Sequence, residues 1–180
     1  MRLYECRLYS SPMTARIIML NGTSSVGKTT LVAELRPLLP DSFCYYASDQ
    51  LADEGFRPTA REARSKGREA FFAGFHQSIA AFASAGLDLL VEHIVEKASW
   101  RADLDRLLLP FDVFWVGMFA PIEEVDHRER LRGNRTIGEA REHLATHEYC
   151  SYHFSVHTTQ PANAIAVQVA QAWRSQAARR

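Results

Sequence analysis

Gly22-Thr23-Ser24-Ser25-Val26-Gly27-Lys28-Thr29 fits G-x-x-x-x-G-K-[ST], the phosphate-binding loop, and its flanks are those such a loop requires. Ahead of it, Ile17-Ile18-Met19-Leu20 is a short apolar run that reads as a buried strand, Arg16 to Leu20. Behind it, Leu31, Leu35, Leu38 and Leu39 recur at helical spacing, which predicts a helix from about Lys28 to Leu39 with Pro40 as its stop. Glycines at 22 and 27 let the backbone wrap closely around a polyphosphate with its N–H groups turned inward. The following helix adds the positive end of its dipole. Lys28 reaches the β- and γ-phosphates, and the Thr29 hydroxyl can ligate Mg²⁺. Gly22, Thr23, Ser24, Ser25, Val26, Gly27, Lys28, Thr29 and the adjoining Thr30 are therefore the expected binding residues for ATP with Mg²⁺.

Outward from the loop, strand and helix signals alternate. Phe43 to Ala47 is a second apolar run ending at Ser48-Asp49. A long helix is expected from about Ala60 to Ala85, with Phe71, Phe72, Phe75, Ile79 and Phe82 near one face and Gly86 as its C-cap. Leu87 to Val95 reads as a third strand, Trp100 to Leu109 as a helix stopped by Pro110, and Phe111 to Phe119 as a central parallel strand. Pro121 opens the next helix. A polar stretch, Arg132 to Ala140, then leads into a helix ending near His147. Ser155 to Thr159 gives a fifth strand and Ala162 to Gln176 a last helix. The pattern is α/β: a three-layer sandwich of the P-loop NTPase type, five parallel strands with helices on both faces. Residues 15–180 are expected to form one domain with a lid at about 128–148, and residues 1–14 a peripheral extension.

Bulk properties narrow the class. Lys+Arg and Asp+Glu stand at 21 each, so no net charge argues for nucleic acid or an anionic membrane. No apolar run approaches the roughly 18 residues of a spanning helix. Cys6, Cys44 and Cys150 lack metal-ligand spacing and read as free thiols of a reducing cytoplasm. The oligomeric state is left open by the sequence.

In open parallel sheets, ligands bind at the carboxyl ends of the strands. That rule selects Asp49, which can accept the proton of an attacking hydroxyl or simply cap the helix after it. It selects Glu92, which can hold Mg²⁺ with Thr29 or merely form a strand-end ion pair. His93 alternates to the other face of its strand and reads as a packed histidine. Among the crowded arginines, Arg128 and Arg132 share a helix face, and Gly133-Asn134 is a turn that carries Arg135 away from it. Arginines on a closing lid can clamp phosphates and neutralise transition-state charge. Arg128 is grouped with the nucleotide-binding residues; Asp49, Lys28, Arg132 and Arg135 are the candidate catalytic set. His143 and His147 have a HxxxH spacing without a third ligand, which fits a polar helix face.

With these positions in place, the chain resembles the chloramphenicol phosphotransferase family. The resemblance rests on Arg16 through Thr29, on Ser48-Asp49-Gln50-Leu51, on Trp115-Val116-Gly117, on Arg132-Gly133-Asn134-Arg135 and on Val156-His157-Thr158-Thr159. It spans roughly residues 15–173. It implies an ATP-dependent kinase that phosphorylates a hydroxyl of a small molecule, an antibiotic such as chloramphenicol in the best-known case. It also implies Asp49 as general base and Arg132 and Arg135 as lid arginines. This chain departs from the family where it has Glu92-His93 in place of paired aspartates, and His153 and His157 in place of acids. Those departures leave the acceptor unnamed. Two rivals stand beside this reading: a metabolic nucleotide or cofactor-precursor kinase, marked by acceptor-site arginines beyond the lid, and an ATP-binding regulatory module without transfer activity, which the substitutions at 92–93 and 157 keep open.

Overall fold

The computed structural model describes residues 14–132 and 138–178. Its sheet has five parallel strands: β1 (Arg16–Asn21), β2 (Phe43–Ala47), β3 (Asp88–His93), β4 (Asp112–Phe119) and β5 (Phe154–His157). Their order is β2-β3-β1-β4-β5. The helices are α1 (Lys28–Leu35), α2 (Ser48–Asp53), α3 (Arg61–Ser84), α4 (Ala98–Leu108), α5 (Ile122–Arg132), α6 (Glu139–Glu142), α7 (Thr146–Tyr149) and α8 (Ala162–Ala177).

Alternation along β1 explains the layers. Ile18 and Leu20 face one core with Leu31 and Leu35 of α1 and Val169 and Trp173 of α8. Ile17 and Met19 face the other, with Phe75 and Ile79 of α3 and Trp100 and Leu104 of α4. All four β1 side chains are fully buried, as a central parallel strand demands. β1 leads to α1 on one face and its neighbour β3 leads to α4 on the other. A crevice therefore opens between the carboxyl ends of β1 and β3, the place where such sheets bind ligands.

Three expected boundaries are corrected. The helix predicted to run to Leu39 stops at Leu35, and Arg36–Leu38 tightens into a 3-10 turn. Pro37 has no N–H for the α ladder and its ring crowds the preceding turn. β3 ends at His93 rather than Val95, because the Val95 N–H leaves the sheet and donates to Asn21 Oδ1 at 2.9 Å. The helix expected to end near His147 is two single turns, α6 and α7. The Glu129 carboxylate accepts from the N–H groups of Gly138 and Ala140, both at 2.8 Å, and starts α6. Thr146 Oγ1 donates to Asn21 Oδ1 at 3.0 Å and ties α7 to the end of β1. The expected extension, residues 1–14, lies almost wholly outside the described residues, as do Arg135 and the side chain of Arg132.

Candidate active site

The loop between β1 and α1 is built by glycines where nothing else fits. A Cβ on Gly22 would stand 2.7 Å from the Met118 carbonyl oxygen, and Gly27 sits at φ 103°, where L side chains are strained. Ser25 also holds a positive φ, 57°, a strain of the kind that persists at ligand clamps. Lys28 is buried and donates to the carbonyls of Gly22 at 3.0 Å and Thr23 at 2.8 Å. Its ammonium thus lies inside the cradle.

Thr29 and Glu92 meet across the crevice. Thr29 Oγ1 donates to the two carboxylate oxygens of Glu92 at 3.0 and 3.1 Å, and the Tyr45 hydroxyl donates to Oε2 at 2.8 Å. Burial, followed by the charge of Glu92, raises the Tyr45 pKa, so Tyr45 stays a donor. The set fits Mg²⁺, a hard ion that takes oxygen ligands and keeps much of its water. The loop fits phosphate on separate grounds. Ser24 Oγ and Ser25 Oγ are buried and lack a hydrogen-bond partner among the described residues, and each such group costs about 1–3 kcal/mol until it finds one.

Asp49 stands in the first turn of α2 and lines the same cavity of about 480 Å³ as Ser24, Lys28, Thr29 and Glu92. Ala47 occupies the N-cap position of α2, and its N–H donates to Gln50 Oε1 at 2.8 Å. The Ala47 N–H at the helix start is thus satisfied by Gln50. Asp49 reaches the loop's ligand space by position, as expected from the end of β2.

Arg128 and Thr30 line a second cavity of about 430 Å³ beside the loop, bounded also by Met118, Thr158 and Ile165. Arg128 is a tether there. It donates from Nη1 to the Val26 carbonyl and Thr158 Oγ1, both at 3.0 Å, from Nη2 to the Thr158 carbonyl at 2.8 Å, and from Nε to Glu124 at 2.8 Å. It joins the phosphate loop to the end of β5.

The histidines separate cleanly. His93 does point to the opposite face from Glu92, where its Nε2 lies 2.9 Å from His76 Nε2 inside the α3–α4 core. Burial depresses both imidazoles, His76 to about 4 and His93 well below its ordinary range, which favours their neutral forms. His153 Nδ1 accepts the Trp115 N–H at 2.9 Å and so extends the β4–β5 edge. His157 is exposed near Phe119. His147 stacks on Phe119 with centroids 4.0 Å apart and shares a 2.8 Å hydrogen bond with the Tyr152 hydroxyl, so it does not pair with His143 as a metal site would need.

Sequence reasoning missed Tyr45, Asn21, Tyr152 and His76. Tyr45 was legible in principle, since it lies two residues before Ala47 on the strand face that pairs toward Glu92. Asn21 is the last residue of β1, and its amide donates to the Tyr152 hydroxyl at 2.7 Å. That contact, like the His76–His93 pair, joins positions 131 and 17 residues apart and has no local signature.

Solved structures of the same fold cover nearly the whole chain. The APS kinase of Mycobacterium tuberculosis, in complex with AMPPNP and APS, is 15% identical with TM-score 0.68, over 91% of this chain and 99% of that one. The tunicamycin resistance protein of Deinococcus radiodurans is 18% identical with TM-score 0.65, over 87% and 94%. The shikimate kinase of Acinetobacter baumannii, in complex with shikimate, is 20% identical with TM-score 0.64, over 91% and 95%. No curated protein matches the chain in sequence. The family model described as chloramphenicol phosphotransferase-like protein matches residues 15–174. The chain thus belongs to the chloramphenicol phosphotransferase-like family, and that membership supports a nucleotide-dependent small-molecule kinase.

Proposed function

We propose that this protein transfers the γ-phosphate of ATP to a hydroxyl of a small molecule, with an antibiotic among the candidate acceptors. The observation that carries this is the shared cavity: Asp49, Lys28, Thr29 and Glu92 line one space. Lys28 and the loop N–H groups hold the β- and γ-phosphates, and Ser24 and Ser25 hydroxyls supply donors to the phosphate oxygens. Thr29 would ligate Mg²⁺ through its hydroxyl and Glu92 through the metal's water. Bound there, Mg²⁺ supplies charge neutralisation to the phosphates. Asp49 orients the acceptor hydroxyl in line with the γ-phosphate and takes its proton as the new P–O bond forms and ADP leaves. Arg132 and Arg135 complete the phosphate clamp from the lid.

The test is transfer itself. Incubation with γ-labelled ATP, Mg²⁺ and a panel of hydroxylated compounds, from neutral antibiotics to ionised metabolites, should give one labelled product class by mass spectrometry. Tight ATP binding with no product from any member would contradict the proposal and favour a regulatory nucleotide-binding module.

A further inference from the structure

The cavity that holds Asp49 and Lys28 has a second wall. Arg57, on the segment ahead of α3, and Arg61, Arg64 and Arg68 on α3 all line it. Positions 61, 64 and 68 are three and four apart, so α3 presents them on one face. The chain as a whole carries no net charge, yet four guanidinium groups gather on this one wall.

Among the described residues, Arg68 alone of the four pairs with an acid. Arg68 gives Nη2 to the two oxygens of Glu96, both at 2.6 Å, and lies over the Phe72 and Trp100 rings. Arg64 donates to the backbone carbonyls of Pro58 and Thr59, which carry no charge. Among the described residues, Arg57, Arg61 and Arg64 form no ion pair with a carboxylate. Of the acids on the same cavity, Asp49 and Glu92 serve the transfer, Glu96 is held by Arg68, and Glu139 stands alone against three guanidinium groups. Like charges gathered at one concave surface repel unless an anion joins them. The loop and α1 already supply the donor phosphates with Lys28 and the helix dipole, so these arginines belong to the other half of the site.

We propose that Arg57, Arg61 and Arg64 form an anion subsite, and that the acceptor is a hydroxylated small molecule already bearing an oxyanion: a phosphate, sulfate or carboxylate. Arginine forks match such groups bidentately. Held there, the anion fixes the acceptor so that its free hydroxyl, not its charged end, faces Asp49. This rests on the phosphotransferase reading above for the word acceptor, but the anion subsite is measurable without catalysis.

The full chain, saturated with Mg·AMPPNP to fill the phosphate loop, is titrated calorimetrically with inorganic phosphate and inorganic sulfate. The wild type should show a saturable anion site, weakened about tenfold or more in Arg57→Gln/Arg61→Gln. AMPPNP affinity, read in the same proteins, should be unchanged. Absence of an anion site in the wild type, or equal affinity in the variant, overturns the proposal. A loss of AMPPNP affinity in place of anion affinity also overturns it, since the arginines would then serve the donor. In transfer assays with matched acceptors, glycerol 3-phosphate against glycerol and gluconate against glucose, the charged members should be preferred and equal use of the neutral ones overturns the proposal. Anion binding lost in the variant, with no transfer to any acceptor, upholds the subsite and contradicts the kinase reading instead.

Discussion

The Thr29 hydroxyl reaches both carboxylate oxygens of Glu92, at 3.0 and 3.1 Å, and thereby joins the phosphate loop to the end of β3. Glu92→Gln keeps the size of the side chain and removes its charge. We predict that the Mg²⁺ concentration giving half-maximal AMPPNP binding rises about tenfold, whereas metal-free binding changes little. A metal titration followed by calorimetry checks this, and an unchanged midpoint would remove Glu92 from the metal's surroundings.

Arg128 spans the phosphate loop and the end of β5 through hydrogen bonds to Val26 and Thr158. Arg128→Ala leaves those carbonyls without their charged donor. The expected cost is about 1–3 kcal/mol of folding stability together with weaker nucleotide binding, read by urea denaturation and AMPPNP titration. Unaltered values for both would show the tether to be ornamental.

The His76–His93 pair sets a pH response. In the unfolded chain each histidine titrates near 6.5; in the fold His76 falls to about 4 and His93 also falls, burial being the main cause for both. Lys28 and Arg68 press His93 the same way, and Asp103 opposes the shift at His76. Between pH 6.5 and 4 the unfolded state binds more protons, so stability is full above 6.5 and drains as pH falls. For His76 alone the loss at pH 5 is about 2 kcal/mol. Denaturation at pH 7.5 and pH 5 should show a smaller drop for His76→Gln than for wild type; equal drops would contradict the depressed imidazole.

Gly117 lies beneath Tyr152, with the position of an added Cβ 2.5 Å from that ring. Gly117→Ala must push Tyr152 off Asn21 and His147, at an expected cost of about 1–3 kcal/mol. The melting temperature measures it, and Gly117→Ala should cost less when made on Tyr152→Ala, which removes the clashing ring, than on the wild type.

The fold was largely legible because its signals are local. The loop motif, four strands' worth of apolar runs and the α3 periodicity each reside in a short window. Glu92 and Asp49 followed from the rule about strand ends, and both line the expected cavity. What escaped was carried by distance in sequence. Asn21 meets Tyr152, Thr146 and the Val95 N–H, and α3 with the segment ahead of it brings Arg57, Arg61 and Arg64 to the cavity that the loop lines. No motif marks those arginines in the sequence, and only the placement of α3 beside the crevice gives them a shared target. His153 was hidden differently: its ring substitutes for a backbone acceptor at Trp115, a use that residue type alone does not announce.

The central claim is that Asp49 acts on the acceptor while the loop holds the donor. It is tested most directly by comparing wild type and Asp49→Asn for transfer of labelled γ-phosphate from ATP, alongside AMPPNP affinity. The account predicts equal AMPPNP affinity and a fall in transfer of about 10²–10⁴-fold for the variant. Transfer by Asp49→Asn within a few-fold of wild type would contradict it.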